Sequence, residues 1–196
     1  MSANPQHHAL TERFQAYLKA SEALRPGYIA SLGAGVSGGK IAEVVPAAPE
    51  LLSVIYSQVS GTDGGEEEVS LIEFIPGYRL IHIDEYREQL QALNRILEEK
   101  KYQGGGLVLP LLANYGGDFI CYRRTEEGRE QICDLMQDYG ELVVMYDSPD
   151  SFLDTLCEFY RQEVYFLDED GFLDCDLIRE GEVGAALNPD SQYWTE

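Results

Sequence analysis

A chain of 196 residues with 35 acidic and 14 basic side chains, a formal net charge of −21, would repel nucleic acid and anionic membranes alike. It is long enough to bury a core without disulfides, and no uncharged apolar stretch approaches the length of a bilayer span. The charge attracts a basic protein partner, or serves solubility alone.

The chain opens with a helical pattern: Leu10, Phe14, Tyr17, Leu18 and Leu24 recur at helical spacing until Pro26 and Gly27 end it. His7 and His8 fall in an expected frayed end. No basic region followed by an apolar core precedes the helix, so no signal peptide is expected and the setting reads as cytoplasmic. Residues 37–61 hold two helical pieces split by Pro46 and Pro49. Ser37 can cap the first, and Leu51, Leu52, Ile55, Tyr56 and Val59 make the apolar face of the second, which Gly61 closes. An acidic loop, "TDGGEEEV", leads to "SLIEFIPGYRLI", which reads as extended chain.

Residues 83–101 give the clearest helix. Asp84 can cap it, Tyr86, Leu90, Leu93 and Leu97 form a stripe, acids crowd its first turn, and Lys100 and Lys101 complement the dipole at its last. Beyond Gly104, Gly105 and Gly106 the segments 107–112, 118–124, 131–136 and 141–146 read as strands with short polar links. "SPDSFLDTLCEFYRQ" is a helix with Ser148 as cap and Pro149 at its first position, and "EVYFLDEDGFLDCDLI" is a hairpin around Asp170 and Gly171. The order predicts an α+β fold in which a mainly antiparallel sheet packs with helices. The N-terminal helix (residues 1–27) and the remainder (28–196) form one globular unit.

Few motifs carry chemistry. "GAGVSG" fits G-x-G-x-x-G after "YIASL", a possible strand, but Pro46 and Pro49 interrupt the helix that a dinucleotide site requires. Read as a Walker loop, it has Ala34 in place of a glycine and Ile41 in place of the magnesium-binding hydroxyl. A loop capped by Ser37 is the simpler reading. The acids Asp168, Asp170, Asp174 and Asp176 resemble part of a calcium loop, yet Gly171 falls at position 4 and Arg179 at 12, which suits a turn instead. Cys121, Cys133, Cys157 and Cys175 are far apart among apolar residues and read as buried free thiols. His82 is the only histidine in an apolar segment, with no ligand set or nucleophile around it. No catalytic, cofactor or metal site is expected.

Residues 107–124, "LVLPLLANYGGDFICYRR", set Asn114, Gly116, Gly117 and Asp118 between two apolar runs. No helix follows to make a phosphate loop, so the break reads as a turn or bulge joining core strands. The stretch resembles the P-x-x-x-N-x-x-G-D-x-x-C signature of the SUKH superfamily, in particular its Smi/Knr-like branch. "KIAEVVPAAPELLSVIYSQVSGT", "YDSPDSFLDTLCEFY" and "LNPDSQYW" are similar to other family segments in the same order, so the resemblance runs from about Ile41 to Trp194. Arg123 and Arg124 depart from it, standing where many members carry an acid.

The resemblance implies an α+β domain without catalytic residues, of the kind that neutralises polymorphic toxins, often nucleases, or regulates fungal cell-wall assembly by binding partners. The expected partner is a basic toxin domain; a scaffold with another partner, or a ligand-binding domain using the loop at 33–39, are the alternatives. The expected contact residues are the loop acids Asp63, Glu66, Glu67 and Glu68 with Tyr78, Tyr86 and Tyr115 as aromatic anchors. Asn114, Gly116, Gly117 and Asp118 match the family motif in a structural or binding role.

Overall fold

The computed structural model describes residues 5–138 and 141–194; residues 1–4, 139–140 and 195–196 of the expected unit lie outside these. The apolar spacing of the first segment makes one helix, α1 (Pro5–Leu24), which buries Leu10, Phe14, Tyr17 and Leu18. His7 and His8 are not frayed but lie inside it, and His7 Nδ1 is hydrogen-bonded to Glu50. "YIASL" is not a strand: it holds a short helix, α2 (Tyr28–Ser31). The Glu22 carboxylate accepts the amides of Gly27 and Ile29, both at 2.8 Å, and so closes that turn.

Ser37 caps α3 (Gly38–Val44) by accepting the Lys40 amide at 3.3 Å. α4 (Glu50–Gln58) follows the two prolines and buries Leu51, Leu52, Val54, Ile55 and Tyr56. The expected extended chain after the acidic loop is mostly something else. Residues Val69–Ile72 form a helical turn, α5, and only Arg79–Leu80 pair as a strand, β1. Between them Pro76 and Gly77 (φ +79°) reverse the chain, and the Tyr78 amide donates to the Ile75 carbonyl at 2.9 Å. A Pro-Gly pair favours such a tight turn over a continuous strand.

α6 (Tyr86–Glu99) carries the expected stripe, with Tyr86, Leu93 and Ile96 buried. Its N-cap is Glu85, not Asp84; Glu85 makes no side-chain cap and instead pairs with Arg79. Asp84 is exposed beside Lys40 at 3.4 Å. The sheet then runs in sequence order through β1, β2 (Leu107–Ala113), β3 (Phe119–Arg124), β4 (Glu130–Leu135) and β5 (Leu142–Tyr146), antiparallel throughout. Alternation assigns its faces. Cys121 and Cys133, opposite each other, lie on the face towards α6, where Tyr86 comes close to Cys121. Ile120, Tyr122, Ile132 and Asp134 lie on the other.

α7 (Pro149–Arg161) covers that second face. Ser148 and Ser151 form a reciprocal cap, Pro149 opens the helix, and Phe152 meets the Tyr146 ring at 5.1 Å. α1 packs on α7 and α4, so the N-terminal helix joins the same core. The expected hairpin is β6 (Tyr165–Leu167) with β7 (Leu173–Cys175), turned at Asp168 and Gly171. It does not close the chain. Asp176 accepts the amides of Ile178 and Arg179 and starts a further helix, α8 (Leu177–Leu187), before a 3₁₀ turn at Gln192–Trp194. The fold is α+β in one domain.

Candidate binding cleft

The motif at residues 114–118 is a turn between β2 and β3, as expected, and its polar groups serve the turn itself. Asn114 Oδ1 accepts the amides of Gly116 at 2.8 Å and Asp118 at 2.9 Å, while its Nδ2 donates to Asp118 Oδ2 at 2.9 Å. Asp118 Oδ1 accepts the Gln137 amide at 2.8 Å, which ties the turn to the end of β4. Gly117 has φ +92° and Gly116 does not take positive φ. Only Tyr115 at the tip is free of this work, 84% exposed, with the Arg79 guanidinium 5.9 Å from its ring centre.

The acidic loop is partly self-satisfied. Asp63 Oδ1 accepts the Gly65 amide at 2.7 Å, Glu66 Oε1 accepts the Glu68 amide at 2.9 Å, and Glu68 Oε1 accepts from Ser70 Oγ at 3.2 Å. Glu67 is exposed. Tyr86 is a correction to the expected anchors: it is wholly buried and meets Tyr56 edge-on at 5.9 Å, and burial pushes its hydroxyl well above the ordinary range. It stabilises the core and can touch no partner. Tyr78 is half-buried, in the wall of a cleft on the α7 side of the sheet.

That cleft, about 240 Å³, is assembled from distant parts of the chain. Tyr78 comes from the Pro-Gly turn, Tyr146 from β5, Tyr165 from β6 and Tyr193 from the 3₁₀ turn, while Asp174 and Glu180 come from β7 and α8. Glu180 accepts from the Tyr165 hydroxyl at 3.4 Å, and its other oxygen lies 3.4 Å from Cys175 Sγ. Burial raises the Glu180 carboxyl above its usual range. Ile120 lines the cleft, and its partner across the sheet is Asp134, which shares its face.

Asp134 is 5% exposed, and among the described residues its Oδ1 has no hydrogen-bond partner. Burial first, and the charge of Asp118 second, push its carboxyl up to about 6. Its charge also helps to raise the hydroxyls of Tyr78 and Tyr193, after burial as the main cause. A buried, half-stranded carboxylate beside Tyr78 and Tyr193 of the cleft wall is an electrostatic demand for a cation. The cleft does not suit a nucleophile. Burial and the neighbouring Glu180, Asp174 and Asp176 drive the Cys175 thiol up to about 12, away from the reactive thiolate. Among the described residues no group of three or more His, Cys, Asp or Glu side chains could hold a metal ion.

Around the cleft the surface is acidic and unusually apolar at one point. Leu177 and Ile178 are 76% and 77% exposed at the start of α8, beside Asp174 and Asp176, and Phe166 and Phe172 are partly exposed on the same hairpin. The hairpin turn also borders the predicted loop region. A Cβ on Gly171 would stand 3.6 Å from Val69 Cγ2, and Asp168 and Asp174 act on Glu73. The structure therefore brings the segment that follows the expected loop acids, at Val69 and Glu73, near a second acidic segment that the calcium-loop comparison had set aside as a turn. Tyr146, Tyr165, Tyr193, Asp134 and Glu180 were absent from the expected site. A charged residue inside the apolar run "ICDL" was the one available hint of Asp134.

No helix among the described residues is long and apolar enough to cross a membrane. Neither a scan against protein-family models nor a search of curated proteins finds a match, so the likeness to the SUKH superfamily rests on the residues quoted above.

Proposed function

We propose that this chain is a non-catalytic protein-binding domain of the SUKH, Smi/Knr-like kind, an intracellular immunity protein that binds and neutralises a basic toxin domain. The observation that carries this reading is the start of α8, where Leu177 and Ile178 stand exposed beside Asp174 and Asp176. Large apolar side chains are costly to leave in water, and acids around them favour a basic partner over self-association. In a chain of net charge −21, long-range attraction speeds the encounter and the apolar pair slows dissociation.

Co-expression with the product of the adjacent gene tests it. Cells should survive that product only when this chain is present, and the purified pair should associate faster at low salt than at high salt. The double variant Leu177→Asp/Ile178→Asp should fold normally and lose protection. Equal killing with and without this chain, with no complex at low salt, sinks the immunity reading. A complex without protection moves the same surface to a scaffold role.

A further inference from the structure

The tyrosine-lined cleft poses a narrower question than the surface around it. We infer that it is a socket for one organic cation, the guanidinium or ammonium group of an arginine or lysine side chain of the protein partner. This rests on the protein-binding reading above and names its central contact.

Three independent features point the same way. The first is size and lining: about 240 Å³ walled by Tyr78, Tyr146, Tyr165 and Tyr193 suits one extended side chain and surrounds its charged head with aromatic residues. The second is the unpartnered oxygen of Asp134, 95% removed from solvent, which lies behind the cleft wall beside Ile120 and close enough for its charge to act on Tyr78 and Tyr193. An uncompensated buried carboxylate gains most from a cation that also donates hydrogen bonds. The third is the charge of the rim. Asp174 and Glu180 line the cleft, and Asp168 and Asp176 flank it on the same hairpin and helix. A phosphate or carboxylate ligand would be repelled by these carboxylates. A compact metal ion has no set of three or more ligating side chains among the described residues, whereas a guanidinium is weakly hydrated and accepts aromatic walls. Leu177 at the mouth gives the stem of the side chain an apolar rest.

The chain carries its own reporter, because Trp194 is its only tryptophan and lies 4.8 Å from the Tyr193 ring and 5.4 Å from that of Tyr146. Butylguanidinium should change Trp194 fluorescence saturably, and its neutral isostere butylurea should not. A blocked pentapeptide with one central arginine should compete. Asp134→Asn and Glu180→Gln should each weaken butylguanidinium by about tenfold or more while keeping a cooperative melting transition. An equal response to butylurea, or full affinity in both variants, overturns the proposal. Butylguanidinium binding with exclusion of the peptide also overturns it, by assigning the cleft to a small free organic cation. These titrations use no partner protein, so their failure leaves the co-expression result to judge the protein-binding reading separately.

Discussion

Asp134→Asn should make the protein more stable, and by an amount that depends on pH. The native carboxyl is pushed from 3.8 up to about 6, with burial as the main cause. Its folded-state value lies above its unfolded one, so the folded chain holds the proton more tightly. Below about pH 4 both states are protonated and Asp134 carries no penalty. Between pH 4 and 6 the unfolded chain ionises first, and stability falls as pH rises. Above pH 6 the full cost is present. A shift of about two units at about 1.4 kcal/mol each sets it near 3 kcal/mol, an upper bound because water at the cleft relieves part of it. Asparagine has nearly the same shape and no charge to bury. The variant should therefore match the wild type within about 0.5 kcal/mol at pH 4 and exceed it by about 1–3 kcal/mol at pH 8. Glu73 and Glu180 are raised by burial as well, but they act in both proteins and cancel in the difference. Urea unfolding followed by Trp194 fluorescence at pH 4, 6 and 8 gives the comparison. A difference that stays constant with pH, or a variant less stable at pH 8, would refute the reasoning.

The two motif glycines should separate in thermal melts. Gly117→Ala should cost about 1 kcal/mol or more, because it has φ +92° and a Cβ would stand 2.4 Å from Gln137 Oε1, whereas Gly116→Ala, without positive φ and with its Cβ 3.3 Å from Asn114 Oδ1, should cost less. Arg25→Ala should destabilise by roughly 3 kcal/mol in urea titrations, about 1 kcal/mol for each buried acceptor it leaves unpaired. The Arg25 side chain is buried, donates to the carbonyls of Ser70 and Glu73 and to the Tyr160 hydroxyl, and lies over the Tyr28 ring at 3.8 Å. Tyr86→Ala should cost about 3–5 kcal/mol, as expected of a buried aromatic ring, while Tyr115→Ala, at an exposed turn tip, should leave the melting curve within about 0.5 kcal/mol of wild type. Partner binding that survives Tyr115→Ala would take Tyr115 off the contact surface.

The sequence by itself determined the parts of this protein whose cause is local. The apolar runs on either side of Asn114 pair as β2 and β3, because two short continuous apolar runs, buried on both faces and joined by a turn rich in glycine, leave few other arrangements. α6 and α7 follow from apolar stripes at helical spacing, and in α7 from the Ser148 and Pro149 signals as well. Where a neighbour far along the chain decides, the local pattern misleads. α8 contains two glycines and has little intrinsic preference for a helix. Gly184 faces Trp194 so closely that a Cβ would stand 2.4 Å from the ring, so helix and 3₁₀ turn shape each other. Tyr86 and Tyr78 look alike in sequence, yet one is sealed against Tyr56 and the other opens on the cleft. The cleft draws on residues from 75 to 193, and no short-range spacing encodes their meeting. Only packing α7, the β6–β7 hairpin and α8 over one sheet face brings four tyrosines together, two of them beside Asp134. The same packing withdraws the water that would otherwise solvate its charge.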